Sequence, residues 1–214
     1  MHKIKMEVWG DFACFTRPES KVERLTYPVM TPSAARGILS AVYSKPAEFY
    51  WQIKQIEVLR PIRYISFKRN EIKSKISDKP MLVEDDRTQR QSVLLQDVRY
   101  RITAEMIKRP DFSGKEQQLY HQAKRRIQEG KCFFQPSLGL REFVCYFDEP
   151  SNIQPIQESA DFGLMLYDVF DLHKFAVTKK AEPYISLFHA EMKNGVITVP
   201  EYDSDSVWKP AGGR

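Results

Sequence analysis

Gly10 to Pro46 reads GDFACFTRPESKVERLTYPVMTPSAARGILSAVYSKP, and its parts decide how the chain begins to fold. Just ahead of it and into it, Lys3 to Trp9 alternates, with Ile4, Met6 and Val8 on one side, the period of a half-buried strand. A long polar loop follows. Thr31 then offers a side-chain oxygen at a helix start and Pro32 takes the first helical position. Ala35, Ile38, Leu39 and Val42 form one apolar stripe before Pro46 ends the segment. Within the loop, Arg17, Lys21 and Arg24 alternate with Phe12, Phe15 and Tyr27. Cations suit phosphates and flat rings suit bases, so a single-stranded nucleic acid is the first ligand class to consider.

Working outward, two further strands flank Pro61, one carrying Trp51, Ile53, Ile56 and Val58 and one carrying Ile62, Tyr64, Ile65 and Phe67. Residues of about 70–92 are polar, charged and poor in periodicity, which predicts a protruding loop or hairpin. Val93 to Met106 resumes a strand, and Gly114 to Gly130 predicts a helix whose core stripe is Leu119, Ala123 and Ile127. Phe143 to Phe147 alternates again. This order predicts an α+β fold: a ferredoxin-like, RNA-recognition-motif-like amino-terminal domain over 1–149, with helices on one face of an antiparallel sheet. Pro150 to Ala160 has linker composition, and the later strand patterns, joined by a turn at Asn194-Gly195, predict a small antiparallel all-β domain over 150–202. Residues 203–214 read as a flexible tail.

The chain has 214 residues, 42% of them hydrophobic, enough to bury a core, and 33 Lys and Arg against 28 Asp and Glu give a formal charge of +5. A polyanionic partner is favoured by that balance, and the cations concentrate between Lys54 and Lys75 and between Lys124 and Arg141. Two ordinary solvated faces would have the same composition. Cys14, Cys132 and Cys145 are odd in number and never in a C-x-x-C pair, so they read as reduced thiols rather than a disulfide framework or zinc site. MHKIKMEVWG lacks the apolar run of a signal peptide, and no stretch approaches the roughly 20 apolar residues of a membrane span. A cytoplasmic protein is expected. No metal and no cofactor are expected either: there is no H-x-x-x-H and no His/Cys cluster, and Glu84-Asp85-Asp86 reads as readily as a solvated turn as a magnesium site.

The segments WGDFACFTRPE, KVER, YPVMTPSAARGILSAVYSKP, VLRPIRY, RNE, VEDDRTQRQSVLLQDVRYRI, FFQPSLGLREF and LMLYDVFDL, in this order and spacing, resemble the subtype I-C (Dvulg) type of the fifth CRISPR-associated protein family, a RAMP-type group. The resemblance spans nearly the whole chain. It implies a ferredoxin-like domain with a small carboxy-terminal sheet. It also implies an endoribonuclease that cuts the repeat hairpin of precursor CRISPR RNA without metal and stays on the 5′ handle as a subunit of the type I-C interference complex. Binding of duplex DNA without strong sequence preference is a further property it implies. The alternative is a non-catalytic subunit that binds the 5′ handle and nucleates assembly.

Metal-free RNA cleavage uses the 2′-hydroxyl as nucleophile and leaves a 2′,3′-cyclic phosphate and a 5′-hydroxyl. The protein must help move protons and stabilise the phosphorane. The family's catalytic tyrosine near the end of the first helix falls on Tyr43 of AVYSKP, expected at the rim of the apolar stripe with its phenol within reach of solvent. The family's Lys-His doublet falls on Gln118 and Leu119, so this chain departs from the pattern. His121, as acid or base, and Lys124, as phosphorane stabiliser, are the nearest substitutes, with Lys115 in reserve. Two positions swing a side chain roughly 200° around a helix, which places His121 away from the doublet's direction. For RNA binding the candidates are Arg17, Lys21, Arg24, Arg36, Arg87, Arg90 and Arg125. Gly139 of SLGLREF joins them, resembling the RAMP glycine-rich loop, where a missing side chain lets backbone approach RNA.

Overall fold

Residues 87–108 form one strand 22 residues long, and its burial pattern explains the rest of the sheet. Its first part alternates exposed and half-buried, while Tyr100 to Met106 is buried without interruption, so that half is covered on both faces. The computed structural model describes residues 2–20, 22–74, 83–174 and 184–210. Its elements are β1 (Lys3–Ala13), β2 (Arg24–Leu25), α1 (Pro32–Val42), β3 (Phe49–Val58), β4 (Tyr64–Ile72), α2 (Val83–Asp86) and β5 (Arg87–Lys108). There follow α3 (Glu116–Gln128), β6 (Tyr146–Asp148), β7 (Ala160–Asp168), β8 (Ser186–Lys193), β9 (Val196–Thr198) and β10 (Val207–Trp208). The described strands make one mostly antiparallel ten-stranded sheet with few helices, its main path running β6-β1-β5-β3-β9-β8-β10.

β5 changes partners along its length. Residues 87–95 pair with β4, and 100–108 pair with β3, while β1 lies along 95–105 on the other edge. The change falls at Asp97, whose φ of +53° is a left-handed conformation that aspartate tolerates better than most residues. Arg60 pairs with the Asp97 carboxylate, Gln96 N–H donates to Arg63 O, and Leu59 N–H donates to Arg99 O. Within the segment expected as a protruding loop or hairpin over 70–92, the described residues pair β4 with β5 as far as Ile72↔Arg87.

One face of β1 and β5, with Ile4, Met6, Val8, Tyr100, Ile102 and Ala104, shares a core with Ala35, Ile38, Leu39 and Val42 of α1 and Leu119, Ala123 and Ile127 of α3. The opposite face is polar yet buried. Glu7, 1% exposed, accepts from Arg99 Nε at 2.5 Å, Ser151 N–H at 2.9 Å and Ser151 Oγ at 2.7 Å. Arg101 donates to Glu57 at 2.6 Å and to the carbonyls of Ser151 and Ile153 at 2.9 and 2.8 Å. The segment read as a linker is thus a strap laid across the sheet. Asn194 and Gly195 form the expected two-residue turn, with φ of 48° and 75°, and Gly195 fastens the strap through N–H to Glu158 O at 2.8 Å.

The strands expected in a separate carboxy-terminal domain continue the same sheet through β9, paired with β3 from Gln55↔Thr198 to Glu57↔Val196. Met165, Phe188, Met192, Ile197 and Tyr202 belong to the same apolar cluster as the amino-terminal core. The expected tail is also packed as far as it is described. Val207 and Trp208 pair with β8, Tyr202 is buried, and Lys209 lies 4.0 Å over the Tyr202 ring. Local pattern shows neither connection, because the pairing of β9 with β3 joins residues over a hundred positions apart and that of β10 with β8 spans an intervening loop.

The segment after α3 runs alongside the end of β1, where Cys14 N–H donates to Leu138 O at 3.0 Å. Gly139 has a φ of +88°, and a Cβ there would sit 1.9 Å from Cys14 O. Its missing side chain serves this internal contact, and Gly139 also lines a groove along α1. Gly139→Ala is expected to cost about 3 kcal/mol or more in chemical denaturation, from backbone strain and overpacking together. A variant as stable as the wild type would contradict the contact.

Burial opposes ionisation of Glu7, but hydrogen bonds from Ser151 and Arg99 outweigh it and hold the carboxyl below its ordinary value of 4.5. Its folded value lies below the unfolded one. The stability it contributes is therefore fully present above about pH 4.5 and is lost as pH falls through the lower folded value. Glu7→Gln should lose about 3 kcal/mol at neutral pH, since Arg99 and Arg101 stay behind. It should also flatten the acid limb of a stability–pH profile measured by denaturant titration.

Candidate nucleic-acid interface

Helix α1 starts as its sequence dictates, with Thr31 Oγ1 accepting from Ala34 N–H at 3.2 Å and Pro32 leading. Its other end departs from expectation. The helix closes at Val42, and Tyr43 is already extended at φ −152°, ψ 122°, with its N–H donating to Leu39 O at 2.8 Å. The side chain therefore leaves the helical phase and turns inward. Tyr43 is 1% exposed rather than at a solvent-facing rim.

Its ring lies between those of Phe49 and Phe133, with centroids 5.7 and 6.1 Å away, and its Oη donates to Gln122 Oε1 at 2.8 Å. Trp51 Nε1 donates to the Tyr43 carbonyl at 2.8 Å. Burial pushes the phenol pKa up. At neutral pH the group is a hydrogen-bond donor and not a phenolate base. Arg126 stacks its guanidinium 4.1 Å from the Phe133 centroid and 5.9 Å from that of Tyr43, and reaches Val42 O at 3.4 Å. Lys45, paired with Glu48 at 2.9 Å, adds a second cation close in sequence.

Phe133 and Phe134 both donate their N–H to Ala41 O, at 2.7 and 3.3 Å. They satisfy a carbonyl in the last turn of α1 that the helix leaves open. From there a groove of about 740 Å³ runs along α1 between Ser33, Gly37 and Ala41 on one wall and Gln135, Ser137 and Leu140 on the other. Small residues on the helix keep it wide, and a Cβ at Gly37 would meet nothing within 4 Å.

The phase of α3 sorts the remaining candidates. Leu119, Ala123 and Ile127 face the core, which turns Gln122 and Arg126 toward the end of α1. His121, Lys124 and Arg125 are exposed on the outer side, with His121 against Tyr120 at 5.7 Å between rings. Tyr43, His121 and Lys124 are therefore not brought together: the groups meeting Tyr43 are Gln122, Arg126 and Phe133. Leu119, at a doublet position, is in the core, and Gln118 and Lys115 are exposed.

The arginines divide similarly. Arg36 is locked to Asp168 by Nε–Oδ2 at 2.5 Å and Nη2–Oδ1 at 2.9 Å, so its guanidinium ties α1 to β7 rather than waiting for phosphate. Arg17 lies 4.6 Å over Tyr27 and pairs with Glu19 at 3.7 Å. Arg24 and Arg90 share Glu71, at 4.0 and 3.4 Å, on the β4–β5 hairpin, where Arg87 is exposed. Lys21 lies outside the described residues. Gln122, Arg126, Lys45, Phe133 and Phe134 escaped the sequence reading. The α3 stripe contained the needed signal for two of them, since residues three past Leu119 and Ala123 flank the buried face.

Among the described residues, no group of three or more His, Cys, Asp or Glu side chains is placed to hold a metal ion, and no helix is long and apolar enough to cross a membrane.

Two relatives are similar over almost their full length. One, from Mannheimia succiniciproducens, is 41% identical, covering 96% of this chain and 98% of its own. The other, from Thermus thermophilus, is 40% identical, covering 94% and 92%. Both are named CRISPR pre-crRNA endoribonuclease Cas5d. A crystal structure of a CRISPR-associated protein has the same fold, with a TM-score of 0.69 at 22% identity over 96% of both chains. A functionally uncharacterized protein from Streptococcus mutans also shares it, with a TM-score of 0.67 at 20% identity over 96% of both chains. A family model for CRISPR-associated protein (Cas_Cas5) matches residues 3–200, and with these relatives it establishes that the chain belongs to the Cas5 family, in its Cas5d branch.

Proposed function

We propose that the chain is an endoribonuclease that cuts the repeat stem-loop of precursor CRISPR RNA and stays on the 5′ handle as a subunit of the type I-C interference complex. The observation that carries this reading is identity of 40–41% to two pre-crRNA endoribonucleases across nearly their whole length. The tyrosine-centred cluster at the end of α1 adds chemical support. On this reading cleavage needs no metal, the substrate's 2′-hydroxyl attacks the adjacent phosphorus, and a 2′,3′-cyclic phosphate forms as the 5′-oxygen departs. Tyr43 Oη–H, released from Gln122, donates a hydrogen bond to a non-bridging phosphorane oxygen and keeps its proton, and Arg126 and Lys45 supply positive charge. The proton lost by the 2′-hydroxyl to solvent water is returned from water to the departing 5′-oxygen. His121 and Lys124, on the outer side of α3 and away from Tyr43, contact phosphates flanking the scissile bond on this reading, not the reacting atoms.

Arg17, Arg24, Arg87, Arg90 and Arg125 are the proposed phosphate contacts, and the same cations would meet duplex DNA. The order β1-α1-β3-β5-α3-β6, with sheet order β6-β1-β5-β3, supports a ferredoxin-like amino-terminal unit. We place the protein in the cytoplasm with its RNA.

Two observations favour a second reading, in which the chain binds the 5′ handle without cutting: Tyr43 is buried, and the doublet positions hold Gln118 and core residue Leu119. Labelled repeat RNA incubated with the protein in chelator separates the two. Cutting should survive chelation and vanish with a 2′-deoxy nucleotide at the scissile position, whereas RNA bound tightly but left whole would establish the second reading. Tyr43→Phe keeps the ring packing and loses one hydrogen bond worth about 1 kcal/mol. It should retain RNA affinity and lower the cleavage rate at least a hundredfold; an unchanged rate would remove Tyr43 from the chemistry.

A further inference from the structure

Phe134 is 76% exposed, the most exposed of the large apolar side chains among the described residues, and its neighbour Phe133 is 47% exposed. Neither sits on a loose end. Both N–H groups are fixed to Ala41 O, and the Phe133 ring is braced by Arg126 at 4.1 Å and Tyr43 at 6.1 Å. A fixed backbone that holds a phenyl ring in water forfeits the burial free energy of that ring and returns nothing to the isolated chain. We propose that this ledge is a base-stacking platform, with Phe134 the ring that receives one unpaired nucleotide of the RNA beside Tyr43.

The charge around the ledge selects the occupant. Arg126 lies against the ledge, 4.1 Å from the Phe133 centroid, and in the sequence KRRIQEGKCFF over 124–134 Lys124 and Arg125 follow the same helix while Lys131 is paired with Glu129 at 2.8 Å. An apolar protein surface docking here would strip water from those cations without replacing it, while a nucleotide brings a phosphate for them together with a flat face for the ring. The groove along α1 supplies the path. Ala41, which holds the ledge, lines that groove, and Gln135, the residue after Phe134, opens its far wall. A strand leaving the groove at this end would pass Phe134 before it reaches the Tyr43 cluster. Unpaired bases that splay onto aromatic rings are the features of RNA that proteins read most directly. The platform would therefore fix which phosphodiester is presented, and it rests on the reading of the chain as an RNA-cutting subunit.

The test uses the whole chain and repeat RNA made uncleavable by a 2′-deoxy nucleotide, with 2-aminopurine placed in turn at each unpaired position flanking the stem. Wild-type protein should change the 2-aminopurine emission at one of these positions. Phe134→Ala should abolish that change and weaken binding about tenfold or more, and Phe134→Trp should restore both. The melting temperature should be unaffected, since the ring is exposed. A Phe134→Ala protein that binds and alters emission as the wild type does would overturn the platform, including the case in which the variant loses only its association with partner subunits. Cleavage of ordinary repeat RNA is read separately. A wild-type protein that stacks the probe without cutting leaves the platform standing and refutes the enzyme, whereas cutting that Phe134→Ala leaves unaltered in rate and position refutes the platform alone.

Discussion

The change of partners along β5 is the constraint on which the rest of the molecule depends. A single strand of 22 residues serves as the spine of a ten-stranded sheet because one edge pairs first with β4 and then with β3. The left-handed Asp97, its carboxylate paired with Arg60, lies where the partners change. On one side of this residue the sheet is β4 paired with the first part of β5, bearing cations. On the other it is covered on both faces, by α1 and α3 in front and by the strap behind. The division between a basic extension and a rigid body is thus built into one strand.

Contacts from three directions hold α1 and the Tyr43 that follows it. Arg36 anchors the middle of the helix to Asp168, Trp51 takes the Tyr43 carbonyl, and the segment after α3 meets Ala41 O. A partly buried ion pair such as Arg36–Asp168 contributes registration more than stability, because desolvation offsets most of its attraction. Registration is what a site with a buried phenol requires. On the proposed mechanism the Tyr43 donor must lie where the phosphate arrives, since a side chain packed between two rings has little freedom to search.

Local pattern made much of this legible. The alternation of Lys3 to Trp9, the Thr31-Pro32 start and the 119/123/127 stripe each correspond to an element, because each is decided by residues close in sequence. The strap, and the pairing of the carboxy-terminal strands with β3, are not legible locally for the opposite reason. Ser151 and Ile153 look like linker residues until Glu7 and Arg101 are opposite them, and β9 is only three residues long, with its partner β3 over a hundred positions earlier. Within the site, the departure of Tyr43 from helical geometry moved it from rim to interior, a one-residue change in where α1 ends. Helix phase then separated Gln122 and Arg126 from His121 and Lys124. Arg36 read as a phosphate ligand because nothing near it in sequence announces Asp168.

The clasp at Gly195 carries a consequence for how the chain acquires its shape. A Cβ there would fall 2.3 Å from Ile156 O, and the glycine also accepts from Val58 N–H at 2.8 Å, so three stretches of backbone from far apart in the sequence close on one residue. A nascent chain halted before this turn emerges would leave the edge of β3 open and Arg101 without a settled lid. Completion of the body therefore waits until Gly195 has been synthesised, and topology of this kind slows folding because loop closure must precede the contacts that reward it. Any RNA grip that relies on the finished sheet is, by construction, withheld from the unfinished polypeptide.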